Sequence, residues 1–429
     1  MKNYINPKSS EWSSILKRPT MELEQMEALV SPVMQEVQLR GDEALLGFTT
    51  KFDGVSLDDI RVSSEEIERA GDYVSDELKA AILQAASNIR QFHEAQIKEP
   101  ITVETMPGVK CSRKAVAIDK VGLYIPGGTA PLFSTVLMLA IPAKIAGCEE
   151  IVICTPPSPE AKIHPAILYA ASVVGVDKLY KVGGAQAIAA MTFGTETIPQ
   201  VHKIFGPGNQ YVTAAKQLAI KHGLAIDMPA GPSEVAVYAD HSAIPAFVAA
   251  DLLSQAEHGV DSQVLLVADT QEVVKAVQEE LNLQLKDLPR QEMARKALEH
   301  SISIVLTDQQ NAIDLLNDYG AEHLILSVQD PHKISAKIKN AGSVFLGNLT
   351  PESAGDYASG TNHTLPTNGY AKMYSGVSLD SYVKMITYQE LTEEGIRNLG
   401  PIVEKMAAAE QLEAHKNAVT LRLKSVSDV

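Results

Sequence analysis

Residues 121–154 read VGLYIPGGTAPLFSTVLMLAIPAKIAGCEEIVIC, and their pattern decides the fold. A short apolar run at 121–125 breaks at Pro126-Gly-Gly128. A longer apolar stretch at 131–145 is closed by Gly147, and a second short run begins at Ile151. Short runs bounded by glycine or proline predict strands, and the longer segment between them predicts a helix. Strand, helix and parallel strand make the repeating unit of an α/β sheet. The same alternation continues downstream, predicting helices over 163–174, 185–193 and 210–222 and strands at 179–182 and 203–205. Four such units in succession predict a parallel sheet with helices on its faces.

Upstream, Met26, Leu29, Val30, Val33, Met34 and Val37 are spaced for one helical face over 22–40, ending at Gly41. A second long helix is predicted over 76–93, so the first hundred residues read as mostly helical. Beyond residue 232 a second alternation appears. Strands are expected at 235–238, 264–268, 302–306, 323–326 and 343–346, with helices over 244–258, from 269 towards 300, and over 311–319. After Gly376 the pattern is helical, mainly at 390–399 and 402–415. The expected fold class is therefore α/β: two Rossmann-like parallel-sheet domains with helical N-terminal and C-terminal extensions.

Composition narrows the function classes. Hydrophobic residues make up 45% of the 429 residues and charged ones 21%, a balance for a folded chain with a sizeable core. The formal net charge is −16, which opposes nucleic acid or an anionic membrane surface as a partner. The most apolar stretch, 134–143, is about half of the ~20 residues that span a bilayer. The opening residues, MKNYINPK, show no apolar signal core, and Cys111, Cys148 and Cys154 show no pairing pattern. These features together give the expectation of a soluble, cytoplasmic protein.

Four joins are richer in glycine and polar residues than a turn requires: 124–128 (YIPGG), 183–186 (GGAQ), 205–209 (FGPGN) and 228–234 (MPAGPSE). Each follows a predicted strand, on the sheet edge where helix N-termini and free N–H groups face a ligand crevice. Any one alone is equally an ordinary turn; four together favour a cleft. None carries the dinucleotide fingerprint, since Gly206-Pro-Gly208 lacks its third glycine.

Further candidates lie in the second half. Gln255 and His258, three apart at a predicted helix end closed by Gly259, could share one face and help hold zinc, or His258 could simply satisfy free carbonyls. Glu322 and His323 alternate across a strand unless they lie at its irregular start, where both would suit proton transfer. Residues 351–366, PESAGDYASGTNHTLP, hold Asp356 and His363 in a loop too polar for a core. Glu410 and His415 would otherwise belong to a solvated helix face.

Taken together, these stretches strongly resemble the histidinol dehydrogenase family. The resemblance runs through 121–128 (VGLYIPGG), 205–209, 230–234 (AGPSE), 251–258 (DLLSQAEH), 322–325 (EHLI), all of 351–366, and 414–417 (AHKN), in order and across most of the chain. It implies zinc ligands at Gln255, His258, Asp356 and His415, and a catalytic pair at Glu322 and His323. It implies substrate contacts at Ser233 and Glu410, with His323 and the metal ligands also facing L-histidinol. Tyr124, Gln186 and Asn209 are implied to contact NAD. The implied organisation is an arm at 1–23, a first α/β domain of 24–120 with 233–377 carrying the metal and catalytic residues, a second of 121–232 carrying the NAD loops, and a tail at 378–429. That tail is implied to reach the partner's site in an intertwined homodimer. The implied reaction is oxidation of L-histidinol to L-histidine through the aldehyde by two NAD molecules.

Two other readings stay open at this level. One is aldehyde oxidation through a cysteine, although neither Cys148 nor Cys154 sits in a polar activating loop. The other is a metal-dependent metabolite-binding protein without catalysis, against which the Glu322-His323 pair counts.

Overall fold

A computed structural model describes residues 1–19, 23–127 and 130–427. Gly128 of the first glycine loop and Glu22, the expected start of the first long helix, lie outside the described residues. In chain order the strands are β1 (Lys2–Ile5), β2 (Ile101–Met106), β3 (Val109–Ala117), β4 (Lys120–Tyr124), β5 (Glu150–Thr155), β6 (Lys178–Lys181), β7 (Lys203–Phe205) and β8 (Ala225–Ile226). They continue with β9 (Glu234–Ala239), β10 (Gln263–Ala268), β11 (Ile302–Val305), β12 (His323–Ser327), β13 (Ser343–Leu346) and β14 (Val383–Leu391).

Two of the three sheets are parallel throughout. One has six strands in the order β1-β11-β10-β9-β12-β13, the other five in the order β6-β5-β4-β7-β8. Strands buried on both faces are near-continuously apolar, as in EVAVYA of β9 and QVLLVA of β10, where every residue is buried. The helix Phe133–Ala146 is buried from Ser134 to Ala143, so it is apolar all round. Gly147, at φ +87°, ends it with Schellman-type bonds from Gly147 N–H to Lys144 O and from Cys148 N–H to Ala143 O.

Several expectations need correction. The N-terminal arm is not all helix: β1 adds a parallel edge strand to β11, and Trp12 and Leu16 are buried in the core of the six-stranded sheet. The first long helix does break at Gly41, as expected, where φ +52° and ψ −130° are non-helical, and a second helix continues from there to Phe48. Met26, Val30, Met34 and Val37 bury against Ile188, Met191 and Ala215 of the five-stranded sheet's layer, and Ile82 and Ile89 of the helix Asp76–Glu94 pack with the core of the same sheet. Residues 24–94 thus pack on the sheet of 121–232, not on that of 233–377, because their apolar stripes meet the helices of that layer.

The stretch after Gly376 is not wholly helical either. β14 pairs antiparallel with β3, and β3 with β2, in a third sheet of three strands whose residues are mostly exposed. Its alternation of charged and apolar residues has little burial to mark it. Two helices follow, Glu393–Ala409 and Glu413–Ser427. No helix among the described residues is long and apolar enough to cross a membrane.

Trp12 is the only tryptophan of the chain and is 8% exposed. Placing a charge beside it tests the docking of the arm. Leu16→Asp is expected to release the arm and move Trp12 emission to the red, with far-ultraviolet dichroism little changed. Unshifted emission would contradict this packing.

Candidate active site

β9 and β12 lie side by side with His323 opposite Val235, so their first residues meet at the N-terminal edge of the six-stranded sheet. Glu322 stands just before β12 and His323 begins it, so the usual alternation does not separate them. Their groups come within 3.8 Å, Glu322 Oε2 to His323 Nδ1. Residue 234 organises both. Its N–H donates to Glu322 Oε2 at 3.0 Å, and its C=O lies 3.4 Å from His323 Nδ1.

Gln255 is buried in the last turn of the helix Pro245–Ala256. Oriented to satisfy both ends, its amide N–H donates to Glu352 and its carbonyl accepts the Glu234 N–H at 3.2 Å. His258 lies two residues beyond the helix, at the solvent rim. Gly259 does not close that helix, which ends at the right-handed cap Glu257 (φ −78°). The polar segment expected as loop opens instead with a short helix, Glu352–Tyr357, that puts Glu352 and Asp356 on one side. Asp356 Oδ1 is 3.2 Å from His323 Nε2, and Glu352 Oε1 is 3.9 Å from His323 Nδ1.

Charge explains how these groups titrate. Burial raises Glu322 to about 8 despite nearby His323 and the Glu234 N–H. Burial likewise raises Glu352, despite His323. For His323 burial pulls downward, but Glu352, Glu322 and Asp356 outweigh it and raise the imidazole to about 10. Burial would also raise Asp356, yet its bond to His323, with His363 and His258 nearby, holds it below the usual range.

The donor chemistry suits a divalent ion. A neutral amide, imidazoles and a carboxylate are the ligand types a borderline metal such as zinc selects. Ligand atoms of His323, Glu352 and Asp356 lie within 4.8 Å of one another, and His323 Nε2 is buried without a well-formed hydrogen bond. This tight trio shares only Asp356 with the quartet expected from the sequence. Gln255 borders it through Glu352, and His258 is close enough to Asp356 and His323 to feel their charge.

The remaining expected residues divide three ways. Ser233 is half-buried immediately before β9. Tyr124, Gln186 and Asn209 belong to the other sheet. The Tyr124 hydroxyl accepts the Gly184 N–H at 3.0 Å, Gln186 is buried in the helix Gly184–Phe193, and the Asn209 side chain caps the helix Gln210–Lys221 by accepting the Val212 N–H at 3.0 Å. Glu410 and His415 are exposed on the tail, and within the one chain neither is hydrogen-bonded or ion-paired to the Glu322–Asp356 cluster.

Three functional groups escaped the sequence reading. Glu234 and Glu352 sit inside stretches read for other residues. An acid heading the apolar run VAVYA is a usable signal, because a buried carboxylate needs a partner. That partner is Arg18, whose Nε and Nη2 both bond the Glu234 carboxylate, whose Nη2 also donates to Tyr319 O at 2.8 Å, and whose guanidinium lies 3.9 Å over the Tyr319 ring. Nothing local in the arm's sequence marks Arg18. His363, by contrast, was visible and acts as a strut: Nδ1 meets Asp356 O at 2.8 Å and Nε2 meets Thr135 Oγ1 at 3.1 Å, joining this segment to the other sheet's layer. The cysteines take no part. Burial raises Cys148 to about 11 and Cys154 further still, keeping both as unreactive thiols.

Known proteins agree with this architecture. The family model for histidinol dehydrogenase matches residues 16–423. A histidinol dehydrogenase of Bacteroides thetaiotaomicron is 58% identical over 426 residues, covering 99% of this chain and 100% of its own. The chloroplastic histidinol dehydrogenase of Arabidopsis thaliana is 53% identical over 97% of this chain and 90% of its own. The crystal structure of histidinol dehydrogenase from Elizabethkingia anophelis superposes with a TM-score of 0.96 at 56% identity, covering 100% of this chain and 99% of that one.

The Arg18–Glu234 pair invites a stability test. Arg18→Met leaves a carboxylate of 2% exposure without its cation, and breaking a buried pair from one side costs about 3–5 kcal/mol. The expected result is a lower urea midpoint, partly restored when Glu234→Gln is added. An unchanged midpoint in Arg18→Met would show that the pair is dispensable.

Proposed function

The chain belongs to the histidinol dehydrogenase family, enzymes of histidine biosynthesis, and on that premise we propose that it oxidises L-histidinol to L-histidine by two successive hydride transfers to NAD. The observation that carries the proposal is the convergence of Glu322, His323 and Asp356 in one buried cluster at the start of β9 and β12.

In the first step His323 removes the alcohol proton as hydride leaves the carbinol carbon for NAD, giving the aldehyde, NADH and a proton. In the second, His323 returns the proton it took to the aldehyde oxygen while Glu322 draws a proton from water as the water oxygen adds to the aldehyde carbon. The resulting hydrate gives up its hydride to a fresh NAD, with His323 again taking the hydroxyl proton, and the carboxylic acid is formed. A group raised by its surroundings to near-neutral pKa is suited to exchange protons in both directions. Gln255, His258 and Asp356 would hold a zinc ion, together with His415 of the partner subunit. Zinc bound there supplies a template that fixes the amino alcohol and its imidazole. Ser233 and Glu410 of the partner subunit complete the substrate contacts. Tyr124, Gln186 and Asn209 would receive NAD at the C-terminal edge of the five-stranded sheet, the edge from which α/β folds present helix N-termini to ligands.

The proposed assembly is an intertwined homodimer in the cytoplasm. Its support is the exposure of Glu410 and His415 and of apolar side chains along the tail and third sheet, among them Ile101, Met385, Tyr388, Ile402 and Met406. A two-fold exchange of tails would build two equivalent composite sites.

Steady NADH formation from histidinol tests the reaction. Chelation is expected to abolish it while leaving the fold intact, since two sheet cores stand without metal, and His258→Asn should lose metal and activity together. Full activity in a metal-free preparation would remove the zinc assignment.

The two steps separate by substitution. Glu322→Gln is expected to slow oxidation of supplied histidinal far more than the alcohol step, whereas His323→Asn slows both. Equal slowing by Glu322→Gln would refute the division of roles.

Assembly is tested by complementation. Glu322→Gln and His415→Asn subunits, each nearly inactive, are refolded together in equal amounts. Half the dimers are then mixed, and in each of these one site collects both defects and the other neither, so activity recovers to roughly a quarter of wild type. Inactive mixed dimers, isolated by two affinity tags, would mean that each site is built within one chain.

A further inference from the structure

We propose that the buried Lys216–Asp227 ion pair is a positioning device for the cofactor: it fixes the Gly206 peptide, and with it the Gly-Pro-Gly-Asn209 loop, in the conformation that receives NAD. The inference rests on the reading above that this loop faces NAD.

Lys216 is 3% exposed within the helix Gln210–Lys221, and Asp227 follows β8 at the edge of the five-stranded sheet. Lys216 Nζ lies 2.5 Å from Asp227 Oδ1 and donates to Gly206 O at 2.8 Å. The Gly206 N–H donates to Asp227 Oδ2 at 2.8 Å, and the Met228 N–H to Oδ1 at 2.7 Å. Both polar groups of residue 206 are therefore gripped, the carbonyl by a cation and the N–H by an anion.

That grip reaches all three loops of the proposed cofactor site. Gly206 has φ +124°, and a Cβ there would stand 2.1 Å from Tyr124 O, so only glycine fits so close. Tyr124 in turn accepts the Gly184 N–H through its hydroxyl. On the other side Tyr382 stacks on Phe205 at 4.0 Å, and Lys203 donates to Ser381 O at 2.8 Å, so the strand before the loop is held as well. A strand-to-helix turn needs no ion pair to fold, and apolar residues would bury at less desolvation cost. What the pair adds is a defined backbone geometry at a loop that must meet a ligand within a fraction of an ångström. Lys216 and Asp227 themselves are too buried to touch NAD, so they act through Gly206.

The test uses the full-length, metal-loaded enzyme. Lys216→Met is expected to raise KM for NAD and the NAD dissociation constant, measured by calorimetry without histidinol, by about tenfold or more. KM for histidinol should stay within about twofold, because removing a binding geometry for one substrate need not alter the other. Asn209→Ala, in the same loop, serves as the control for the cofactor reading. If Asn209→Ala weakens NAD binding but folded Lys216→Met does not, the positioning role is wrong and the loop assignment stands. If neither changes NAD binding, the cofactor lies elsewhere and both ideas fall. Equal rises in KM for both substrates would reduce the pair to a general structural role and also overturn the proposal. Should Lys216→Met fail to fold, Lys216→Arg decides: it keeps the charge but not the reach to Gly206 O, and NAD binding that matches wild type would refute the inference.

Discussion

The buried cluster of Glu322, His323 and Gln255 depends on one residue's backbone. At position 234 the chain enters β9, and its N–H serves Glu322 and Gln255 while its C=O faces His323. Parallel pairing of β9 with β12 fixes the height at which those groups meet, because a shift of one residue would turn His323 to the opposite face of the sheet. The side chain at 234 is then anchored by Arg18 from the N-terminal arm. The arm's edge strand, its only tryptophan and its arginine thus serve a site more than two hundred residues away in sequence. Loosening the arm would therefore reach the Glu322–His323 pair without touching it.

A second constraint joins the two layers. The segment carrying Glu352 and Asp356 reaches across to the helix Phe133–Ala146, where Asn362 donates to Met138 O at 2.5 Å and His363 meets Thr135. That helix lies directly downstream of the loop after β4, which holds Tyr124. The Glu322–Asp356 cluster on one sheet and the loops proposed to receive NAD on the other are therefore connected by hydrogen bonds. For a reaction proposed to pass through an aldehyde, such rigidity keeps donor and acceptor positions constant through both oxidations.

Much of this was legible in the sequence, and the failures have physical causes. Buried parallel strands such as IVIC of β5 announce themselves because apolar side chains fill both faces. β2, β3 and β14 did not, since their residues are mostly exposed, and β14 pairs with β3 from more than two hundred and fifty residues away. The stripe from Met26 to Val37 revealed a helix but not which sheet it would cover, because an apolar stripe specifies burial and not a partner. Glu322, His323 and Asp356 could be picked out as chemistry-bearing residues by type and by family likeness. Their distances to Glu352 and Glu234 come only from the register of β9 with β12 and the short turn of helix at Glu352–Tyr357. Arg18 was invisible because its role is set wholly by tertiary contact.

The cluster is richer in acids than in bases. Glu234, Glu322, Glu352 and Asp356 place four carboxyl groups in one largely buried region, and among the described residues Arg18 and His323 form the ion pairs with them. Arg18 is committed to Glu234. His323 lies 3.2–3.9 Å from the other three; burial raises Glu322 and Glu352 to about 8 despite it, while the three acids raise His323 to about 10. Carboxyls raised this way by burial are mostly protonated at neutral pH, and a positive charge placed beside them favours their ionised form. A divalent ion or a cationic amino alcohol, as the proposed reaction requires, would supply such a charge, returning the acids to their ionised form and, by repulsion, lowering His323 towards a usable base. The same carboxyl groups disfavour an anionic competitor at this position.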